Sequence, residues 1–365
     1  MSRIPLLVLI SSITLGAAGF TADSARGARL FQSLACVQCH SVNGTGGTSA
    51  PDLGRIEDRG FTPASLAATM WNHAPAMWAS MRERHITAGE LDQQSARDLM
   101  AFFYAARFFE EPGDAGRGKR AFQSRGCAGC HGLTVAVNPK AKPVSQWQAL
   151  ANPLELVSVM WNHRAEMLAR GASLPRLSVQ DLTDILVYLR NLPETRSREG
   201  AFTIEAAPTN QAVFQSAGCA KCHQTEALAQ SVQGKTLTGI AVEMWNHAHS
   251  MAAGGAPMAP FAKGEMQALV SSIWAENFFE DAGNPKAGAR VFDAKKCSVC
   301  HPDASSGAPQ LRVSEREFSG ATMLSVLWKH GPNMLDRMNT KGLAWPKFEG
   351  KQMADLIAYL NTKHP

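Results

Sequence analysis

At 365 residues the chain is long enough for about two to four domains. With 45% hydrophobic and 18% charged residues it has the balance of a folded, soluble protein rather than a disordered one. A formal charge of +5 does not by itself call for an acidic polymer as partner.

Residues 1–22 read as an export signal. Arg3 gives the positive start, Ile4 to Ile13 is mostly apolar, and Ala17, Ala18 and Gly19 supply small residues near a cut. The apolar part is short for a membrane span, so an uncleaved anchor is only the alternative. A first helix is expected over 24–35, with Gly27 and Phe31 on one face. Phe31 lies five residues before Cys36, as Phe122, Phe214 and Phe292 lie before Cys127, Cys219 and Cys297. Gly118 and Gly288 repeat the place of Gly27, where a second helix could approach closely; Asn210 breaks the pattern.

Each of these segments runs into the same pentapeptide, Cys-x-x-Cys-His. The copies are Cys36-Cys39-His40, Cys127-Cys130-His131, Cys219-Cys222-His223 and Cys297-Cys300-His301, and they use all eight cysteines. Two thiols at this spacing can add to the two vinyl groups of one haem, and the histidine reaches the iron. A zinc ribbon would pair its cysteines across a short loop, whereas these motifs lie roughly 80–90 residues apart. A redox dithiol needs no histidine at a fixed place. Four covalent haems c, each with its iron, are therefore expected. Their propionates would add as much as about −8, so the sequence charge gives no reason to expect nucleic acid. No thiol is left for a disulfide.

After each motif comes a loop rich in Gly, Ser or Pro, then two further helices. In unit one they are expected from Thr62 or Ser65 to about Met77 and over 90–109. In unit two a first helix over 114–126 is followed by 154–168 and 178–191. Unit three has 209–218, 236–250 and 263–280, and unit four 285–296, 319–330 and 349–361. Residues 192–207 read as a linker. Phe108-Phe109-Glu110-Glu111 and Phe278-Phe279-Glu280-Asp281 precede units two and four alike. Units one and two are thus expected to form one two-haem module, duplicated as units three and four. The divisions are 1–22 export signal, 23–112, 113–205, 206–284 and 285–365.

Each unit resembles a class I cytochrome c: a first helix with glycine and an aromatic, the haem motif, a middle helix, and a last helix packed across the first. Asp355-Leu356-Ile357-Ala358-Tyr359-Leu360 and Asp184-Ile185-Leu186-Val187-Tyr188-Leu189 are close to the family's last-helix pattern. The resemblance implies an all-α fold of four class I cytochrome c-like haem domains in tandem, arranged as two similar two-haem modules.

A second motif keeps step with the haems: Met70-Trp71-Asn72-His73-x-x-x-Met77, Met160-Trp161-Asn162-His163-x-x-x-Met167, Met244-Trp245-Asn246-His247-x-x-x-Met251 and Leu327-Trp328-Lys329-His330-x-x-x-Met334. Histidine and methionine four apart share a helix face. Met77, Met167, Met251 and Met334 are the expected distal ligands, opposite His40, His131, His223 and His301. His73, His163, His247 and His330 are the alternative. In class I cytochromes the distal methionine usually lies just ahead of the last helix. Met258, in Pro257-Met258-Ala259-Pro260-Phe261, fits that and rivals Met251. Units two and four have Leu174-Pro175-Arg176-Leu177 and Trp345-Pro346-Lys347-Phe348 there, which hold no ligand. Trp71, Trp161, Trp245 and Trp328 are expected to pack on the haems.

The function expected is a periplasmic one-electron carrier. Its partners would be other periplasmic or membrane-bound redox proteins. No unit lacks the second motif, so no haem is marked as catalytic. The alternatives are a multihaem oxidase, reductase or peroxidase, or a conduit docked in a membrane complex.

Overall fold

A computed structural model describes residues 21–54, 62–87, 89–106, 113–147, 152–193, 195, 203–206, 211–278, 282–301, 308–311 and 317–362. The export signal, apart from its last two residues, and the Phe-Phe-Glu-Glu segment lie outside these, as do Asn210 and Phe279 to Asp281. The fold is helical. Unit one holds α1 (Ser24–Ser33), α2 (Pro63–Glu83) and α3 (Gln93–Ala105); unit two holds α4 (Ala115–Ser124), α5 (Pro153–Ala169) and α6 (Val179–Arg190). Unit three holds α7 (Gln211–Ser216), α8 (Thr225–Ser231), α9 (Leu237–Ala253) and α10 (Glu265–Phe278). Unit four holds α11 (Pro285–Ala294), α12 (Gly320–Thr340) and α13 (Gln352–Leu360). Helix α8 has no counterpart in the expected pattern, and α12 runs ten residues past the expected 330.

The helices start where capping chemistry permits. Asp23, Asp114 and Asn284 accept hydrogen bonds from the first turns of α1, α4 and α11. Thr62 and Ser178 close capping boxes with Ser65 and Asp181.

First and last helices cross closely in three units. A Cβ on Gly27 would lie within 2.0 Å of the Asp98 carbonyl oxygen; on Gly118 or Gly288 it would lie within 1.9 Å of that of Asp184 or Asp355. Only glycine permits this approach. The aspartates close the crossing from the other side. Asp98, Asp184 and Asp355 accept from the backbone N–H of Asp23, Asp114 and Asn284, at 2.9, 2.7 and 2.7 Å. Buried Asp98 and Asp184 also bind Arg26 and Arg117. In unit three Ala268 stands at the aspartate's place, and the device is absent with the glycine.

Two short hairpin-like pairings add to the helices. Strand β1 (Ala22–Asp23) pairs antiparallel with β4 (Glu205–Ala206), matching Ala22 to Ala206. Ser24 donates its backbone N–H to Ile204, and Ile204 donates to the Ser24 hydroxyl. Thr195, Ile204 and Ala206 are buried. The stretch expected as a linker is therefore anchored in the core at these three residues, while Pro193, Thr203 and Glu205 are exposed. Strand β2 (Ser41–Val42) turns through Asn43 and Gly44, both at positive φ, into β3 (Thr45–Gly46). Asn-Gly favours that turn.

The middle helices pair across the chain. α5 packs on α9, and α2 on α12. Gly320 lies against Pro63 and Gly331 against Trp78, so α2 and α12 run alongside one another in the same direction. The buried stripe Ala64, Ala67, Ala68, Trp71, Ala74 and Trp78 shares a core with Phe318, Met323, Leu327 and Phe348 of unit four. Pairing is thus between units two and three and between units one and four. Among the described residues it is not between neighbours within each duplicated half, as the flanking Phe-Phe segments suggest.

Candidate haem sites

The four Cys-x-x-Cys-His motifs have one backbone geometry. The residue before the first cysteine is left-handed in each: Ala35 at φ 63°, Gly126 at 84°, Gly218 at 80° and Lys296 at 63°. That residue ends the preceding helix and turns the chain into a single 3₁₀ turn. The His40, His131, His223 and His301 N–H groups then donate to the carbonyls of Cys36, Cys127, Cys219 and Cys297 at 2.9–3.0 Å. One tight turn thus brings two thiols and an imidazole together four times.

None of the thiols is paired in a disulfide. Burial pushes the Cys36, Cys127 and Cys297 thiols up to about 11, and raises Cys219 as well. A redox dithiol or a bare-metal site calls for the opposite, a depressed pKa. Among the described residues no group of three or more His, Cys, Asp or Glu could hold a metal ion.

The imidazoles are oriented for a metal. His40 Nδ1 lies 2.9 Å from the Pro51 carbonyl, His131 Nδ1 2.9 Å from that of Lys142, and His301 Nδ1 2.9 Å from that of Pro309. A carbonyl only accepts, so Nδ1 carries the proton and Nε2 keeps its lone pair.

Facing them stand the histidines of the middle helices. His40 and His73 have ring centres 6.2 Å apart, His131 and His163 6.2 Å, and His223 and His247 6.3 Å. Two imidazoles that bind one metal from opposite sides, each through a nitrogen about 2 Å away, have centres about 6 Å apart. His163 Nδ1 is 3.1 Å from Glu166 Oε2, which again leaves Nε2 free. Burial, then the nearby His40, lowers the pKa of His73; burial likewise lowers that of His131, with His163 adding to it. Both effects favour the neutral, ligating form. In unit four, where Lys329 replaces asparagine, no such ring pair is formed among the described residues. The residues fit haem c.

The methionines are placed one turn further along. Met77, Met167, Met251 and Met334 are half-buried. Met167, Met251 and Met334 pack against the apolar cores, as does Met258. Met258 sits at φ 48°, and its carbonyl accepts from Arg164 of unit two at 2.6 Å.

The tryptophans work at joints between units. Trp161 Nε1 donates to Ala259 at 3.0 Å, Trp245 Nε1 to Pro175 at 2.8 Å, and Trp328 Nε1 to Gly89 at 2.8 Å. Trp71 stacks on Trp345 with ring centres 5.4 Å apart, and its carbonyl accepts from Trp345 Nε1 at 2.8 Å. Pro75, four residues on, has no N–H for that carbonyl. The sequence pattern expects these indoles against the haem; the structure gives three of the four indole N–H groups to another unit's backbone.

The Cytochrome c family model matches residues 24–104 and 115–193. These two regions are cytochrome c domains in tandem, consistent with a multihaem c-type cytochrome. Cytochrome c domains carry covalently bound haem c with its iron and transfer electrons through it. Among curated proteins and solved structures, none matches this chain. No helix among the described residues is long and apolar enough to cross a membrane.

Proposed function

We propose that this protein is an exported, periplasmic electron relay with four haems c, and that histidine is the distal ligand in units one to three. The observation that carries it is the three ring pairs at 6.2–6.3 Å, combined with one motif geometry repeated four times. Cys36 and Cys39, Cys127 and Cys130, Cys219 and Cys222, and Cys297 and Cys300 would tether the haems. His40, His131, His223 and His301 would bind from one side; His73, His163 and His247 from the other, with His330 in the corresponding place in unit four. The sequence pattern favours Met77, Met167, Met251 and Met334; the ring geometry supports the histidines instead.

Bound haem supplies a one-electron couple. The cysteines would hold it in place, the Pro51, Lys142 and Pro309 carbonyls orient His40, His131 and His301, and units one to three would offer it a second histidine from the middle helix. A closed axial site suits electron transfer rather than turnover of a substrate at iron. Two imidazoles also leave the potential lower than a thioether would. Partners would be small periplasmic or membrane-bound redox proteins that dock briefly.

Intact mass in denaturant should show four haems. Near-infrared magnetic circular dichroism of the oxidised protein should show bis-imidazole charge-transfer bands for at least three of them. A dominant sulfur-to-iron band would return the ligand role to the methionines and leave the relay standing.

A further inference from the structure

We propose that Asn72, Asn162 and Asn246 are positioning residues that hold the distal histidine of their own unit from the neighbouring unit. Each precedes that histidine directly. Each closes a two-bond clasp on the backbone of a single residue just ahead of another unit's last helix.

Asn162 Nδ2 donates to the Phe261 carbonyl at 2.7 Å, and the Phe261 N–H donates to Asn162 Oδ1 at 2.8 Å. The return clasp joins Asn246 to Leu177, at 2.8 and 2.9 Å. Asn72 clasps Phe348 at 2.8 and 2.7 Å. The register repeats: Trp161 and Trp245 bond the backbone two residues before the one that the next asparagine clasps. Arg164 adds a bond to Met258. A side-chain amide that donates to and accepts from one backbone residue fixes both the rotation and the height of its helix.

Geometry makes this felt at the iron. Side chains advance about 100° per residue around a helix, so Trp and His, two apart, lie on nearly opposite faces. One face of each middle helix meets the neighbouring unit, and the other presents histidine to its own haem. The segments 174–177 and 345–348, which hold no ligand, have a task here: Leu177 and Phe348 are the clasped residues. Units two and three hold each other, and unit four holds unit one. In the return direction Lys329 stands where asparagine would, and among the described residues the bond from Trp328 to Gly89 is what remains.

The proposal rests on histidine being the distal ligand. Its test is carbon monoxide binding to the reduced holoprotein, compared with wild type, for Asn72→Ala, Asn162→Ala and Asn246→Ala. Each should gain about one carbon monoxide per molecule, through a distal bond weakened about 10–100-fold; Asn162→Ala/Asn246→Ala should gain about two. Added imidazole should restore the low-spin ferric spectrum. Asn162→Asp, which can still accept from Phe261 but not donate, should fall between. Haem content by mass establishes which variants have matured, and any one that has is enough for its own unit. A lowered melting temperature with no gain in carbon monoxide would make the asparagines merely structural and overturn the proposal. A sulfur-to-iron band in the wild type would instead overturn the ligand reading on which it rests.

Discussion

Ala35 and Lys296 occupy the left-handed position that glycine fills at 126 and 218. An L side chain there costs about 1–2 kcal/mol, yet all four motifs keep the conformation, which turns the chain from the helix into the 3₁₀ turn that carries the cysteines. A Cβ on Gly126 would meet nothing within 4 Å, so Gly126→Ala isolates the backbone cost. It should lower stability by about 1 kcal/mol while haem content stays complete. Chemical denaturation of the holoprotein, with intact mass, checks both. The cysteines and motif histidines were legible at this scale because covalent chemistry demands fixed residue types at fixed spacing. The distal residue was not: histidine and methionine four apart share a helix face, and the proposal of histidine rests on the position of the facing ring. The tryptophans were misleading for a related reason. Their repetition in step with the haems points equally to a surface that repeats with each unit.

At the scale of elements, the middle helices and the glycine crossings could be read from apolar spacing and from the Gly27, Gly118 and Gly288 register. Helix α8 could not, since the described residues after the motif in the other units include no α-helix at that place. The β2–β3 turn did carry a signal, Asn43-Gly44, inside a stretch dominated by loop-forming residues. The crossing of α4 and α6 makes a pH prediction. Burial pushes the Asp184 carboxyl up, but the hydrogen bond from Arg117, with those from the Asp114 N–H and Gln180, more than offsets it and leaves it below its ordinary value. A depressed carboxyl contributes its full stability above the unfolded-state pKa of about 3.9 and loses it as pH falls through the folded value. Asp184→Asn should therefore melt lower than wild type at neutral pH, and the gap should close as pH drops below about 4. Melting followed by circular dichroism across that range checks the sign. A gap that widened on acidification would show that the carboxylate is not what the crossing depends on.

For the whole molecule, the decisive question is which units hold which. The Phe-Phe-Glu-Glu and Phe-Phe-Glu-Asp segments speak for a duplicated half, which is a statement about likeness along the chain. Packing follows the joints instead. The middle helices themselves held the clue: α2 and α12 have 21 residues and a proline two after the histidine, Pro75 and Pro332, while α5 and α9 have 17 and none. Helices of matching length and shape pack as partners. The joints between middle helices among the described residues consequently join one unit from the first half to one from the second. Strand β1 adds a further tie, because it pairs with β4, which straddles the boundary between the halves at 205 and 206. If so, a protease site inserted at 199–200 and cut in the folded holoprotein should leave two fragments, each with two haems, that elute together. The Asn162–Phe261, Asn246–Leu177 and Asn72–Phe348 clasps each join a residue before the cut to one after it, so all of them should hold the fragments together. Size-exclusion chromatography with absorbance at the haem band reads the outcome. Fragments that separate in native buffer at moderate salt would show that the halves are self-contained modules and that the inter-unit joints contribute little. Fragments that separate only after Asn162→Ala/Asn246→Ala is added would locate the cohesion in the joint between units two and three.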